Sequence, residues 1–414
     1  MTIHIIGAGL SGLACAVRLC GQGRNVSLYE AAGHAGGRCR SFYDKTLGRS
    51  VDNGNHLLLS GNRSAMAYLD EIGARDTLIS PDHAAFPFLD LDSDERWTVR
   101  PNAGPLPWWI LCPGRRVPGA RLRDYLAALR LRRAGCHQTV TDILDPESPL
   151  FERFWEPLVV AVLNAPVEAA AANLLWPVLM ETFAKGERAC RPRIARAGLS
   201  QSFVDPAICF LERHGAAIHY SHRLKELEIS DGRVNALQFN QWRVELGPAD
   251  PVIMALPPAA AAGALPGLDA PGKSSPIVGA HFRLDHAPQL PGGSAFLGLV
   301  GSAAHWLFVR DDIASITISS ADDLVDAPAE TIAAKTWCDV SRALDLTDRP
   351  MPPFRVIKER RATFTQIPSE LKKRRGTVTD IANLFLAGDW TDTGLPATIE
   401  GAIRSGHSAA AAAQ

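Results

Sequence analysis

The chain has almost no net charge. Its 43 Lys and Arg against 44 Asp and Glu leave −1, so no global field draws it to nucleic acid. Its eight cysteines form no C-x-x-C pair and are accompanied by no His-rich ligand pattern. This speaks against a disulfide scaffold and against a metal centre; reduced, mostly buried thiols in a cytoplasmic protein are expected. No apolar run nears the ~18 residues that span a bilayer. The longest, 158–163 and 252–262, are short, and the second contains prolines. An apolar strand pattern starts at residue 2, leaving no room ahead of it for the basic and apolar regions of a signal peptide. There is no internal repeat. What remains is a chain of 414 residues, 46% hydrophobic and 21% charged, enough for two domains around large cores.

The first 38 residues are the most informative. TIHII (2–6) reads as a buried strand and runs into Gly7-Ala8-Gly9-Leu10-Ser11-Gly12, a G-x-G-x-x-G turn. LACAVRLC (13–20) has the pattern of a helix packed on a sheet, and NVSLYE (25–30) is a second strand ending in an acid. Each part has a task in binding a dinucleotide. Gly7 permits the tight turn, Gly9 removes a side chain that would block a pyrophosphate, and Gly12 lets helix and strand pack closely. The helix start, at Leu10 and Ser11, offers free N–H groups to phosphate. Glu30 can accept hydrogen bonds from ribose hydroxyls. Gly36-Gly37-Arg38 then adds a second backbone approach and a cation for the pyrophosphate.

The C-terminal stretch 383–402 repeats this physics. A buried strand ends in Gly388-Asp389, a Gly/Pro loop follows, and a helix opens near Pro396 or Ala397. Asp389 is placed for ribityl hydroxyls. Backbone N–H groups of Ala397, Thr398 and Ile399 can face the N1–C2=O edge of a flavin and stabilise its reduced anion. Between the two ends, residues 114–195 read as helical and are broken by Pro157, Pro166 and Pro177. A hairpin is expected over 86–100, a meander over 224–246, and strands over 277–319.

Longer motifs sharpen the reading. Asp52-Asn-Gly-Asn-His56, Phe154-Trp-Glu-Pro-Leu158 through Leu163-Asn-Ala-Pro166, Lys358-Glu-Arg-Arg-Ala-Thr-Phe364 and Gly388 to Gly401 together resemble the squalene-associated FAD-dependent desaturase family, within the amine oxidase and phytoene desaturase superfamily. The resemblance runs over essentially the whole chain. The two middle motifs are the specific ones, and Asn55 stands where Gln is usual. It implies an α/β fold of amine-oxidase type: a Rossmann-type FAD-binding domain from 1–62, 200–258 and 378–414, and a substrate (cap) domain of mixed sheet plus helices from 63–199 and 259–377. Asn55, His56 and Leu224 join the expected cofactor contacts.

The implied activity is reductive. An allylic hydroxyl leaves hydroxysqualene and squalene forms, as in hopanoid biosynthesis. An acid must protonate the departing hydroxyl; His56 is the first candidate, with Asp392 and Glu400 behind it. Trp390 would line the pocket or pack in the core. No second G-x-G-x-x-G is present, so NAD(P)H or a reducing protein would bind transiently as donor. Two other readings share the fold: a carotenoid or phytoene-type desaturase or amine oxidase, and a non-enzymatic prenyl-binding protein. Finally, Arg115, Arg116, Arg121, Arg123, Arg130, Arg132 and Arg133 surround the stripe Leu122/Tyr125/Leu126/Leu129, with Trp108 and Trp109 nearby. This is the pattern of a basic amphipathic helix lying on the inner face of the cytoplasmic membrane or of a helix packed on the core.

Overall fold

A computed structural model describes residues 1–414. The strand Thr2–Ile6 lies at the centre of a five-stranded parallel sheet. Asn25–Tyr29 and Val252–Met254 flank it, with Ala217–His219 and Leu384–Leu386 at the edges. Its central strands are covered on both faces, which explains why they read as unbroken apolar runs. On one face lie the helix Leu10–Cys20 and the C-terminal helix Ile399–Ala412. On the other lies an antiparallel meander, Leu224–Ser230, Arg233–Phe239 and Arg243–Glu245.

The second body is a seven-stranded mixed sheet. In spatial order its strands are Phe354–Phe364, Ser274–Arg283, Ile313–Ser319, Trp306–Arg310, Phe296–Val300, Phe86–Asp90 and Arg96–Val99. Alternation sorts the side chains. Leu89, Leu297, Leu299, Leu307 and Ile316 pack under the helix Ala329–Ala343. Phe86, Phe88, Phe296, Trp306 and Phe308 face the other way, into a core shared with the helical segments between 108 and 190. The expected α/β architecture and the hairpin over 86–100 are both present.

The region expected to be helical is less regular than its composition suggests. It contains short helices, Leu122–Leu126, Glu156–Leu163, Leu175–Glu181 and Glu187–Cys190, joined by 3-10 and π turns. Its last residues, Pro192–Ala195, are instead a strand paired with Leu58–Leu59 and Leu78–Ile79. The basic segment likewise forms no continuous amphipathic helix. It changes from α to 3-10 geometry at Ala127, and its apolar stripe divides: Tyr125 is buried, whereas Leu126 and Leu129 face outward.

The first and last helices touch through backbone. A Cβ on Gly406 would stand 2.1 Å from the Ser11 carbonyl oxygen, and one on Gly12 would stand 1.9 Å from that of Gly7. Gly406→Ala is therefore expected to destabilise by about 1–3 kcal/mol, overpacking outweighing the gain of at most ~1 kcal/mol in helix propensity. Urea unfolding measures this, and a stabilised variant would contradict the close approach.

Burial holds His281, His305 and His407 down at about 4. The unfolded chain takes up these protons near pH ~6.5, so between there and about 4 the unfolded state binds more. Stability should be full above about pH 6.5 and fall as pH drops towards 4, as thermal melts across that range would show.

Candidate active site

The N-terminal strand hands the chain to its helix through backbone that only glycine tolerates at the first step. Gly7 has φ +106°, and a Cβ there would meet the Ala255 carbonyl oxygen at 2.4 Å. Gly9 differs: a Cβ added to it would meet nothing within 4 Å. The protein therefore does not itself require glycine at 9; the space beside it is free for a ligand. The N–H groups of Leu10, Ser11 and Gly12, in the first turn of the helix, have no acceptor in the protein. Gly36 bridges to Gly9, and Gly37 approaches so closely that its Cβ would lie 3.3 Å from the Gly9 Cα. Helix start and two facing glycine backbones make a cradle for a pyrophosphate.

Glu30 directly follows the strand Asn25–Tyr29. Its carboxylate accepts from the backbone N–H of Ala8 and Ala32, both at 2.8 Å, which holds it beside the glycine turn. The backbone N–H of His222 donates to the Glu30 carbonyl at 2.8 Å, which brings the start of the strand at Leu224 to the same corner.

Arg38 joins the two halves. It forms an ion pair with Asp389 at 2.8 Å and also donates to the Ala362 carbonyl. Asp389 is nearly buried, and the preceding Gly388 donates its N–H to Ser405 Oγ at 2.7 Å. The loop then runs to the last helix, where Thr398 caps by accepting from the Gly401 N–H. The N–H groups of Thr398 and Ile399 remain unpaired, as a flavin contact requires. Ala397 departs from the expectation: its N–H is taken by Gln366 Oε1 at 2.8 Å.

Gln366, fully buried, was invisible as a functional residue in the sequence. Its amide also donates to the Leu163 carbonyl at 2.6 Å, so one side chain ties the cap helices to the flavin loop. Asn164, left-handed at φ +47°, ends the helix Glu156–Leu163 and bonds Ser275, Thr363 and the Ser320 N–H. These two residues account for the Leu163-Asn-Ala-Pro166 motif and for the chain just beyond Phe364: Asn164 ties the cap helices to the cap sheet, and Gln366 ties the cap to the flavin loop. Arg374, in the run Lys372-Lys-Arg-Arg375, is buried and donates to the Trp390 and Thr391 carbonyls.

Strand register lays out the face of the cap sheet nearest this site. One row runs Gly279, Thr317, Trp306, Gly298, Phe88, Trp97 across six strands. Its polar end is fixed by Asn55, whose amide donates to Thr317 Oγ1 at 3.0 Å. Its far end is aromatic, with Phe88 and Trp97 stacked at 5.5 Å and Trp306 against Phe88 at 5.6 Å.

The acid candidates separate clearly. His56 is half-buried; burial pushes its imidazole below the ordinary value, Asp52 opposing and Arg38 adding to the shift. Asp392 is exposed and closes a surface turn onto the Gly394 N–H. Glu400 is buried, but both its oxygens are engaged. They accept from the N–H groups of Ser64 and Ala65, in the first turn of the helix Arg63–Glu71, and from Arg404. Position removes Asp392 from the acid candidates, and engagement removes Glu400. Trp390 packs in the core, its indole N–H on the Leu256 carbonyl at 2.8 Å.

Residues 10–414 match the family model described as flavin containing amine oxidoreductase. The hydroxysqualene dehydroxylase of Rhodopseudomonas palustris is 44% identical over 99% of this chain and 97% of its own. That of Sinorhizobium fredii is 44% identical over the same shares. The crystal structure of an oxidoreductase from Methanosarcina mazei superposes with a TM-score of 0.73 at 15% identity, covering 99% of both chains. The chain belongs to the flavin-containing amine oxidoreductase family, in the branch that holds these dehydroxylases. It is an FAD-dependent oxidoreductase, and the open cradle at Gly9 and the unpaired N–H groups at both helix starts fit that cofactor.

The contrast between the glycines is testable. Gly9→Val should leave the fold intact and lower flavin retention by at least about tenfold, because its side chain fills ligand space. Gly12→Val should lower stability as well. Flavin absorbance per protein, with a melt of each apoprotein, distinguishes them; a yellow Gly9→Val enzyme would refute the pyrophosphate role.

Proposed function

We propose that this protein converts hydroxysqualene to squalene by reductive loss of an allylic hydroxyl, in squalene and hopanoid biosynthesis. Full-length kinship with hydroxysqualene dehydroxylases, at 44% identity, carries this reading. In the net reaction the hydroxyl takes one proton and leaves as water, and the carbon receives a hydride. Bound, reduced FAD supplies that hydride. Two electrons per turnover must then come from a donor that binds transiently, NAD(P)H or a reducing protein.

The chain's own residues have three tasks. One is the proton. His56 lies on the segment that starts at Asp52 and is within electrostatic reach of Arg38. A depressed imidazole is a stronger acid than a free one, suited to giving its proton to a departing hydroxyl. Asp52 helps from behind: it is held by Ser41, the Leu199 N–H and Arg310, and its charge favours the imidazolium. The second is the apolar surface. The row Trp306, Gly298, Phe88, Trp97 forms an aromatic wall in the cap core, and ring faces of this kind tolerate a developing carbocation. The third is register: Asn55 and Thr317 meet where the polar and aromatic ends of that row join. On this reading the enzyme works in the cytoplasm against the inner membrane face, where a C30 hydrocarbon resides.

The deciding experiment mixes anaerobically reduced enzyme with hydroxysqualene. Return of the oxidised-flavin absorbance with stoichiometric squalene is expected. A flavin that stays reduced would overturn the proposal in favour of an oxidative desaturase. In the same assay His56→Phe should retain flavin yet slow reoxidation by 10²–10⁴-fold. The wild-type rate should rise as pH falls through 7 to 6, following protonation of an imidazole whose pKa lies below 6.5.

A further inference from the structure

Charge is segregated along this chain. Residues 100–135 contain eight arginines and one acid, Asp124, a net +7 in a molecule whose total is −1. The remainder therefore carries −8. Only Arg123 of those eight is within ion-pair distance of a carboxylate, Asp124 at 3.7 Å. Arg100, Arg121, Arg130, Arg132 and Arg133 are exposed and have no acidic partner.

The same stretch concentrates exposed apolar side chains. Leu106, Trp108, Leu111, Leu126 and Leu129 are 77, 49, 59, 49 and 61% exposed. They belong to one part of the surface, because the segments that bear them are pinned together from beneath. Trp109 and Tyr125 pack edge to face at 5.4 Å, and the Tyr125 hydroxyl accepts from the Val117 N–H at 2.8 Å. Arg115 lies over the Trp108 ring at 4.8 Å. A depression of about 220 Å³ opens beside them, with Arg100, Asn102, Trp108 and Arg115 in its wall; Glu187, also there, is engaged by His83 at 3.0 Å.

We propose that this Leu/Trp/Arg surface seats the enzyme on an anionic lipid bilayer. The leucines and Trp108 enter the interface while the arginines meet headgroup phosphates. Leucines have no task on a polynucleotide backbone, and a dimer of two such faces would oppose +7 to +7. A bilayer satisfies both components at once. The short α and 3-10 turns suit this role as well as a long helix would, since what enters the interface is the set of side chains. No helix is long and apolar enough to cross a membrane, so the contact is one-sided. The residues that anchor this surface from within, Trp109, Ile110, Tyr125 and Leu131, belong to the same apolar core as Phe88, Phe296 and Trp306. The docking face therefore backs onto the aromatic side of the cap sheet, so that a lipid substrate passes from bilayer to site without crossing water. This last point rests on the dehydroxylase reading; the docking itself does not.

The test uses flavin-loaded enzyme and vesicles without substrate, so it is independent of the reaction. Co-sedimentation with phosphatidylcholine vesicles containing phosphatidylglycerol is expected, with little binding to pure phosphatidylcholine and loss of binding at high salt. Arg130→Gln/Arg132→Gln/Arg133→Gln should weaken binding on the order of a hundredfold, at about fivefold per basic residue. Trp108→Ser/Leu126→Ser/Leu129→Ser should weaken the binding that survives at intermediate salt. All six side chains are exposed, and an unchanged flavin spectrum and melting temperature would verify the folds. Absence of binding to anionic vesicles, or equal binding by wild type and both variants, would overturn the proposal.

Discussion

The cofactor site depends on a backbone contact between the two ends of the chain. Gly7, Gly12 and Gly406 let strand, first helix and last helix approach to distances at which any side chain would collide with a carbonyl oxygen. That approach fixes the Gly388–Ile399 loop against the Gly7–Gly12 turn, and Arg38 with Asp389 closes the remaining gap by charge. Everything that follows, from the unpaired N–H groups at two helix starts to the position of the cap sheet, is arranged around this contact.

The cap is held to that frame by polar side chains as well as by apolar packing, in which Ala65, Met66, Tyr68 and Leu69 share one core with Leu13, Val17, Ile403 and Ala410. Gln366 spans from Leu163 in the cap to Ala397 in the flavin loop, and Asn55 reaches across to Thr317, while Asn164 holds the cap helices to the cap sheet at Ser275 and Ser320. Buried amides with both ends satisfied specify geometry, because a displaced partner leaves a desolvated donor or acceptor. This gives a physical meaning to the motifs in the middle of the chain, which contain few side chains able to do chemistry.

The glycine turn, Glu30, Arg38 and Asp389 were legible because their task is local: each follows from backbone conformation or charge beside a strand end. The α/β class of the fold was legible from the alternation of strand and helix patterns. What escaped was what depends on distant partners. Gln366 and Arg374 look like ordinary polar surface until the fold surrounds them. Glu400 looked available for chemistry, and only the neighbouring helix start at Ser64 shows that it is engaged. The stripe Leu122/Tyr125/Leu126/Leu129 suggested one helix face, but a change to 3-10 geometry at Ala127 separated its buried from its exposed members. Asn164 left a trace, since an Asn two residues ahead of a proline is a common way to end a helix.

The order of strands in the parallel sheet has a consequence for how the protein is made. Thr2–Ile6 is translated long before one of its neighbours, Val252–Met254, and Leu10–Cys20 long before the helix that covers it, Ile399–Ala412. Throughout that interval the nascent chain must carry an apolar helix face and an open strand edge without their partners. The FAD site is incomplete until Asp389 and the Ile399 helix start have been translated, long after the Gly7–Gly12 turn. Flavin uptake is therefore a maturation step. Cells short of flavin would accumulate this polypeptide as an open form that chaperones and proteases can reach, and cofactor supply would set the enzyme's abundance as well as its activity.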